Sequence, residues 1–286
     1  MRSRVGHAII SGGSSGIGLA LAHRLAAAGW NLTILARDPD RLASAEAALA
    51  KSGTEVVTEA INVIDHDAVE RAVHASIARL GPPTLLVASA GMVVPGRFDD
   101  LPLEAYRETM EVNYFGTLHL VRAALPAMRA QRGGRIVMIS SGAAFLGIYG
   151  YTAYAPSKFA VRGFAEALRS ELVPDGIAVS VVYPPDTDTP QFREEVRLRP
   201  EPTSRIAGTA GVLSADQVAE AILRGVRRGR FAIAPGLEMS ALAVLHSVIG
   251  PMLHRFWFDP QIARLHRPAP KKSAHDGDSG EDDCSP

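Results

Sequence analysis

A tyrosine and a lysine stand four residues apart in Tyr154-Ala155-Pro156-Ser157-Lys158. On a helix that spacing puts both side chains on one face, an ammonium beside a phenol. A neighbouring cation favours the phenolate, so it lowers a tyrosine pKa from its reference near ~10. Such a phenol can give a proton to, or take one from, an alcohol or ketone oxygen. The pair alone is a weak signal, because an ordinary surface helix carries the same spacing by chance. Two further groups strengthen it. Ser140-Ser141 closes an apolar run shortly before Tyr154. A hydroxyl at a strand end and a phenol on the following helix can converge on one carbonyl oxygen. Ser140 is the alternative contact, but strand alternation and the spacing to Tyr154 favour Ser141. Asn113, in Glu111-Val112-Asn113-Tyr114, lies inside a helical stretch, where an asparagine is costly unless its amide is used. A core hydrogen bond is the plainer reading of that amide.

A second group of residues could hold a dinucleotide. Ser11-Gly12-Gly13-Ser14-Ser15-Gly16-Ile17-Gly18 follows an apolar strand and opens a helix. Glycines there permit a tight turn and close approach to pyrophosphate, and the helix N-terminus adds N–H groups; Gly12, Ser14, Ser15, Gly16, Ile17 and Gly18 are the expected contacts. The second strand ends Leu35-Ala36-Arg37-Asp38. Where an acid would bind a ribose 2′-OH there is Ala36, followed by Arg37, whose guanidinium suits a 2′-phosphate; the expected cofactor is NADPH. Asp38 is read as the cap of the next helix, which has Pro39 at its first position. Asn62 and Val63 end the third strand, where a polar group could meet adenine. Ala90 and Gly91 follow the fourth, small residues where backbone passes close to a ligand. After the sixth strand comes Tyr183-Pro184-Pro185-Asp186-Thr187-Asp188-Thr189-Pro190. Pro184 and its neighbours stiffen this exit, and Thr187 and Thr189 could bond a nicotinamide carboxamide.

These residues need a scaffold. Short apolar runs at 7–11, 32–36, 55–61, 85–89, 135–140, 178–183 and 231–234 read as strands. Helical patterns at 17–28, 39–52, 65–80, 103–131, 156–173 and 215–228 separate them. Continuous apolar strands alternating with helices predict an α/β fold, a doubly wound parallel sheet of Rossmann type covered on both faces. Residues 1–238 form the catalytic, NADP-binding domain, with 186–213 as a substrate lid loop or a plain surface loop. Residues 239–266 form an apolar helical appendage, and 267–286 a polar tail expected to be disordered.

Composition excludes several classes. Thirty basic residues balance thirty acidic ones among 286, which argues against nucleic acid as a partner. The single cysteine, Cys284, permits no internal disulfide, and nine scattered histidines give no metal-ligand spacing. Met1-Arg2-Ser3-Arg4 runs into an apolar stretch from Val5 to Ile10, too short for a secretory signal. The expected compartment is the cytosol.

Together these motifs resemble the short-chain dehydrogenase/reductase family over roughly residues 5–235. The glycine loop is similar to its Thr-Gly-x-x-x-Gly-x-Gly motif with Ser11 in place of threonine, and Asn113, Ser141, Tyr154 and Lys158 match its tetrad in order and spacing. The resemblance implies Tyr154 as general acid, Lys158 binding the nicotinamide ribose and lowering the Tyr154 pKa, Ser141 holding the substrate carbonyl, and Asn113 holding a relay water. It also implies a homo-oligomer built through helices beside the active site. Two departures stand out. The family's Asn-Asn-Ala-Gly is here Ala88-Ser89-Ala90-Gly91, which removes a bracing asparagine, and its Asp-Val is Asn62-Val63. A narrower likeness, carried above all by the proline-rich segment 183–190, is to the branch that reduces the 3-keto group of long-chain sphingoid bases with NADPH at a membrane surface. Reduction of another apolar ketone, a β-ketoacyl lipid or steroid, and a non-catalytic NADP-binding regulator are the alternatives. The branch implies a long-chain keto lipid substrate and a place at the cytoplasmic face of a membrane. Between Met239 and Phe258 the one formal charge is Arg255. That stretch reads as core packing or a dimer contact, as an interfacial helix making peripheral membrane contact, or as a span interrupted by Gly250-Pro251.

Overall fold

The computed structural model describes residues 6–207 and 211–265. Val5, Cys284 and the tail at 267–286, for which expectations were given above, lie outside the described residues.

The first half of the chain alternates β1 (His7–Ser11), α1 (Gly16–Ala27), β2 (Asn31–Ala36), α2 (Pro39–Ala50), β3 (Val56–Ala60), α3 (His66–Leu80) and β4 (Pro83–Ala88). The chain continues through α4 (Leu103–Met110), α5 (Gly116–Ala130), β5 (Gly134–Ile139), α6 (Tyr154–Leu172) and β6 (Ile177–Val182). Beyond these come β7 (Thr187–Asp188), α7 (Pro190–Leu198), α8 (Glu201–Ala207), β8 (Leu213–Ser214), α9 (Ala215–Arg227), β9 (Ala232–Ile233), α10 (Leu237–Leu253) and α11 (Asp259–Leu265). Seven strands form one sheet in the order β3-β2-β1-β4-β5-β6-β9, every neighbouring pair parallel. The expected doubly wound architecture is present. Successive strand residues face opposite sides, and each side has its own core. Ile9, Leu86, Ile136 and Val181 pack under α3, α5 and α6 through Val69, Leu120 and Val161. Ala8, Ile10, Ile34 and Val87 pack under α1, α2 and α9 through Leu21, Leu42 and Val218. Burial on both faces is why these strands read as unbroken apolar runs.

Local signals set the helix starts. Asp38 Oδ1 accepts from the N–H groups of Asp40 and Arg41, both at 3.1 Å, the capping role expected of it. Asp65 accepts from Ala68 N at 2.9 Å, and Ser214 and Gln217 close a reciprocal capping box on α9.

Two regions differ from the sequence reading. The single helix expected at 103–131 is α4 and α5 joined by a π-turn at Glu111–Phe115. An extra residue enters the turn because Asn113 is drawn away to bond the Met92 backbone. The segment expected as a loop at 186–213 contains α7, α8 and the two-stranded β7–β8 pair. Thr189 caps α7 by accepting from Phe192 N at 3.1 Å, with Pro190 in the first position. The C-terminal stretch, expected to be helical, is α10, a π-turn at His254–Phe258, and α11. Met239 and Phe258 are buried against the body, whereas Leu237, Val244, Val248 and Phe256 are 65–90% exposed.

Candidate active site

The carboxyl ends of β1, β4, β5 and β6 meet at one cavity of about 330 Å³. It lies where the strand order reverses between β1 and β4, the place where open α/β sheets bind ligands.

The β1–α1 loop forms one wall. Gly12 and Gly16 have φ of +67° and +53°, which side-chain-bearing residues rarely adopt. A Cβ on Gly12 would stand 2.7 Å from Ala90 N, and one on Gly18 would stand 2.3 Å from Gly12 O. Ser15, the residue before α1, makes no side-chain capping bond, so the first-turn N–H groups remain for an anion. Gly12, Ser15, Gly16 and Ile17 line the cavity; Ser14 belongs to the same loop but not to the wall, and Gly18 serves packing. Ala90 and Gly91 line the wall opposite. The Ser11 hydroxyl accepts from Ser89 N and Ala90 N, both at 3.2 Å. It therefore braces the β4 exit that the missing family asparagine left in doubt.

Arg37 lies at the end of β2 and is exposed; it is not among the cavity-lining residues. Asn62 and Val63 are also outside that lining. Asn62 Oδ1 accepts from Ile64 N at 3.4 Å, and Val63 is buried with its carbonyl 3.0 Å from His119 Nδ1.

The other wall carries Ser141, Tyr154 and Lys158. Ser140 Oγ donates to the Lys158 carbonyl at 2.9 Å and is buried, so it fastens β5 to α6. Ser141 faces the cavity, accepting from Ala143 N at 3.2 Å. Both serines border the cavity, but the Ser140 hydroxyl is spent on the Lys158 carbonyl, which favours Ser141 as the contact. Asn113 does not reach the cavity wall. Its Oδ1 accepts from Met92 N at 2.8 Å, and its Nδ2 donates to Met92 O at 3.0 Å and Ser157 Oγ at 2.8 Å. The amide thereby clamps the β4 exit to the start of α6. Lys158 is buried, and its ammonium donates to Ile139 O at 3.1 Å.

The electrostatics correct one expectation. Lys158 Nζ is 5.6 Å from the Tyr154 ring centroid, and burial lowers its own pKa to about 8. The Tyr154 pKa is raised, not lowered. Burial of its hydroxyl is the largest cause; the hydrogen bond with Ser141 opposes it, and the charges of Glu195 and Asp186 add to the rise. Desolvation penalises the phenolate by more than the Ser141 bond and the Arg199 charge favour it.

Pro184, Thr187 and Thr189 line the cavity where expected. Thr187 Oγ1 donates to Pro185 O at 2.8 Å, and Thr189 Oγ1 is the α7 cap. Four polar residues escaped the sequence reading. Tyr151, Asp186 and Glu195 line the cavity, and Arg199 lies beneath them. Arg199 forks onto Asp186 at 2.8 and 2.9 Å and reaches Glu195 Oε1 through Nη2 at 2.7 Å. Tyr151 also donates to Glu195 Oε1. The Arg199 side chain is 4% exposed and that of Glu195 11%. A Glu and an Arg four apart after a Thr-Pro helix start was the available signal. The apolar part of the cavity comes from Leu146, Phe192, Ile206 and, unexpectedly, Met239, Leu242 and Phe258 of the C-terminal segment. At the start of α3, the exposed His66, Asp67 and Glu70 bring ligand atoms within 4.8 Å of one another.

The short chain dehydrogenase profile matches residues 6–199. A 3-dehydrosphinganine reductase of Danio rerio is 38% identical over 251 residues, 86% of this chain and 76% of that protein. A 3-dehydrosphinganine reductase of Arabidopsis thaliana is 42% identical over 231 residues, 79% of this chain and 69% of that protein. Among solved structures, a short chain dehydrogenase/reductase of Burkholderia phymatum in complex with NAD superposes with a TM-score of 0.77 at 25% identity, covering 88% of this chain and 97% of that one.

Proposed function

The chain belongs to the short chain dehydrogenase family, and on that premise we propose that it reduces the 3-keto group of 3-ketodihydrosphingosine to dihydrosphingosine with NADPH. The observation that carries this reading is one cavity uniting Ser141, Tyr154 and Lys158 with an apolar wall from the C-terminal segment. The relatives named above as 3-dehydrosphinganine reductases support the substrate.

The residues present fit a dinucleotide. The Gly12–Gly18 contact and the uncapped α1 N-terminus leave room and N–H donors for a pyrophosphate. NADPH supplies a hydride for the carbonyl carbon when bound. The chain's own groups handle the oxygen and its proton. Ser141 Oγ holds the carbonyl oxygen, and the Tyr154 hydroxyl gives it a proton, so hydride and proton together make the alcohol. The raised Tyr154 pKa keeps the phenol protonated and ready to donate. Lys158 would hold the nicotinamide ribose, and its ammonium, 5.6 Å from the Tyr154 ring centroid, would stabilise the phenolate left behind. Asn113 positions Lys158 and Tyr154 by fixing the start of α6.

Arg37, exposed at the end of β2, would hold the 2′-phosphate of NADPH. Asp38, spent on the α2 cap, leaves the ribose hydroxyl unclaimed. NADPH oxidation with this ketone should be fast and NADH oxidation slow, and Arg37→Ala should cut the NADPH preference roughly tenfold or more. An unchanged preference would remove Arg37 from the cofactor site. Turnover of a simpler apolar ketone but not this one would keep the chemistry and sink the substrate.

The exposed face of α10 rests on a membrane surface. The most apolar 18-residue stretch within Leu237–Ala263 has a mean hydropathy of 1.2 and is 11% buried, while Met239, Leu242 and Phe258 on the run's inner side line the cavity. One helix thus presents apolar groups to lipid and to the keto lipid's site. Flotation with anionic or neutral vesicles tests this: the protein should rise with them, and Val244→Glu with Val248→Glu should leave it behind. Protein that stays down with every lipid contradicts the contact. A homo-oligomer is the assembly family membership implies, and light scattering of the purified protein reads it directly.

A further inference from the structure

The charged side chains that line the cavity are Lys158, Asp186 and Glu195. Lys158 is engaged with Ile139 O, on the cofactor side of Tyr154. On the other side stand two carboxylates and the single guanidinium of Arg199, a group with one negative charge in excess. Glu195 is held rigidly, because Tyr151 and Arg199 both bind its Oε1; Oε2 takes none of these bonds. Tyr151, which supports that carboxylate, packs edge-on to Tyr154 with ring centroids 5.4 Å apart. The excess charge is therefore fixed one aromatic ring away from the proton donor.

A plain keto lipid gives such a charge nothing to bind, and covering it with an alkyl chain without a partner is costly. The ketone named above carries two polar groups that a plain keto lipid lacks, a hydroxyl on C1 and an amine on C2. Its C2, bonded directly to the carbonyl carbon, carries an ammonium. With the carbonyl oxygen at Tyr154 and Ser141 and the alkyl chain along Leu242, Met239 and Phe258, C2 is left beside the Tyr151–Glu195 side. Resting on the proposed reaction, we propose that Glu195, set by Arg199 and Tyr151 and backed by Asp186, binds the C2 ammonium and selects a 2-amino ketone over a plain keto lipid. The same contact would assist the chemistry. Glu195 and Asp186 hold the Tyr154 pKa up, so an ammonium that neutralises them makes the phenol a stronger acid only when the correct substrate is present.

The test compares kcat/KM for 3-ketodihydrosphingosine with that for its C2-deamino analogue, in the same vesicles with NADPH. The parent protein should favour the amino ketone roughly ten- to hundredfold, the worth of a charge-assisted bond. Glu195→Gln should bring the ratio towards one, chiefly by losing the amino ketone. Equal turnover of both ketones by the parent overturns the ammonium site and leaves the reductase reading standing. No turnover of either overturns both. The parent comparison needs no variant, so a Glu195→Gln protein that fails to fold does not shelter the proposal. A folded Glu195→Gln protein that keeps the parent ratio also overturns it.

Discussion

Tyr154→Phe should lower kcat/KM for ketone reduction by about 10²–10⁴, the usual worth of a positioned general acid, while the protein stays folded and still binds NADPH. The substitution removes one hydroxyl and keeps the ring that packs edge-on to Tyr151. The Ser141 hydroxyl remains to hold the carbonyl, but no group beside it can complete the alcohol. Single-turnover reduction with pre-bound NADPH separates the loss of chemistry from any loss of cofactor binding. If the phenylalanine protein reduces the ketone as fast as the parent, Tyr154 is not the proton donor. If turnover is lost only because NADPH no longer binds, its role is in cofactor binding.

The second large effect is on stability. Arg199→Met should destabilise the protein by about 3–5 kcal/mol, because removing one partner of a buried ion set leaves the others uncompensated. Arg199 and Glu195 are 4% and 11% exposed, and Asp186 is 22% exposed. Two carboxylates would then face each other without their shared cation. In thermal unfolding the midpoint should fall on the order of 10 °C. Arg197→Met is the comparison: its pair with Glu194 at 3.3 Å is 77% and 62% exposed, and solvent screening makes such a pair count for little. Equal midpoints for the two variants would contradict the account of the buried set. The set also explains why 186–213 is not a loop. Asp186 follows β6, Glu195 and Arg199 stand on and just after α7, and Tyr151 precedes α6; their bonds fix α7 over the cavity.

That cluster marks where reading the sequence stops. The strand runs, the glycine loop and the Asp38 cap were legible because each depends on neighbours in the chain. That Tyr154, Lys158 and Ser141 line one cavity was legible for the same reason, through spacing on a helix and at a strand end. The joint between Asp186, Glu195, Arg199 and Tyr151 depends on segments far apart in sequence, and only the Glu195–Arg199 spacing hinted at it. The π-turn at Asn113 was hidden likewise, since it follows from bonds to Met92 and Ser157. The Tyr154 pKa was misjudged because one neighbouring cation was visible while burial and two carboxylates were not. The C-terminal segment reads as apolar on either account. Its division into a face that lines the cavity and a face left exposed required the packed fold.

The central claim is that this cavity moves a hydride from NADPH to C3 of a sphingoid ketone. The most direct measurement uses NADPH carrying deuterium at both C4 positions, unlabelled 3-ketodihydrosphingosine and mass spectrometry of the product. The account predicts dihydrosphingosine with one deuterium, located at C3. Dihydrosphingosine without label, or no dihydrosphingosine while NADPH is consumed on another ketone, would contradict it.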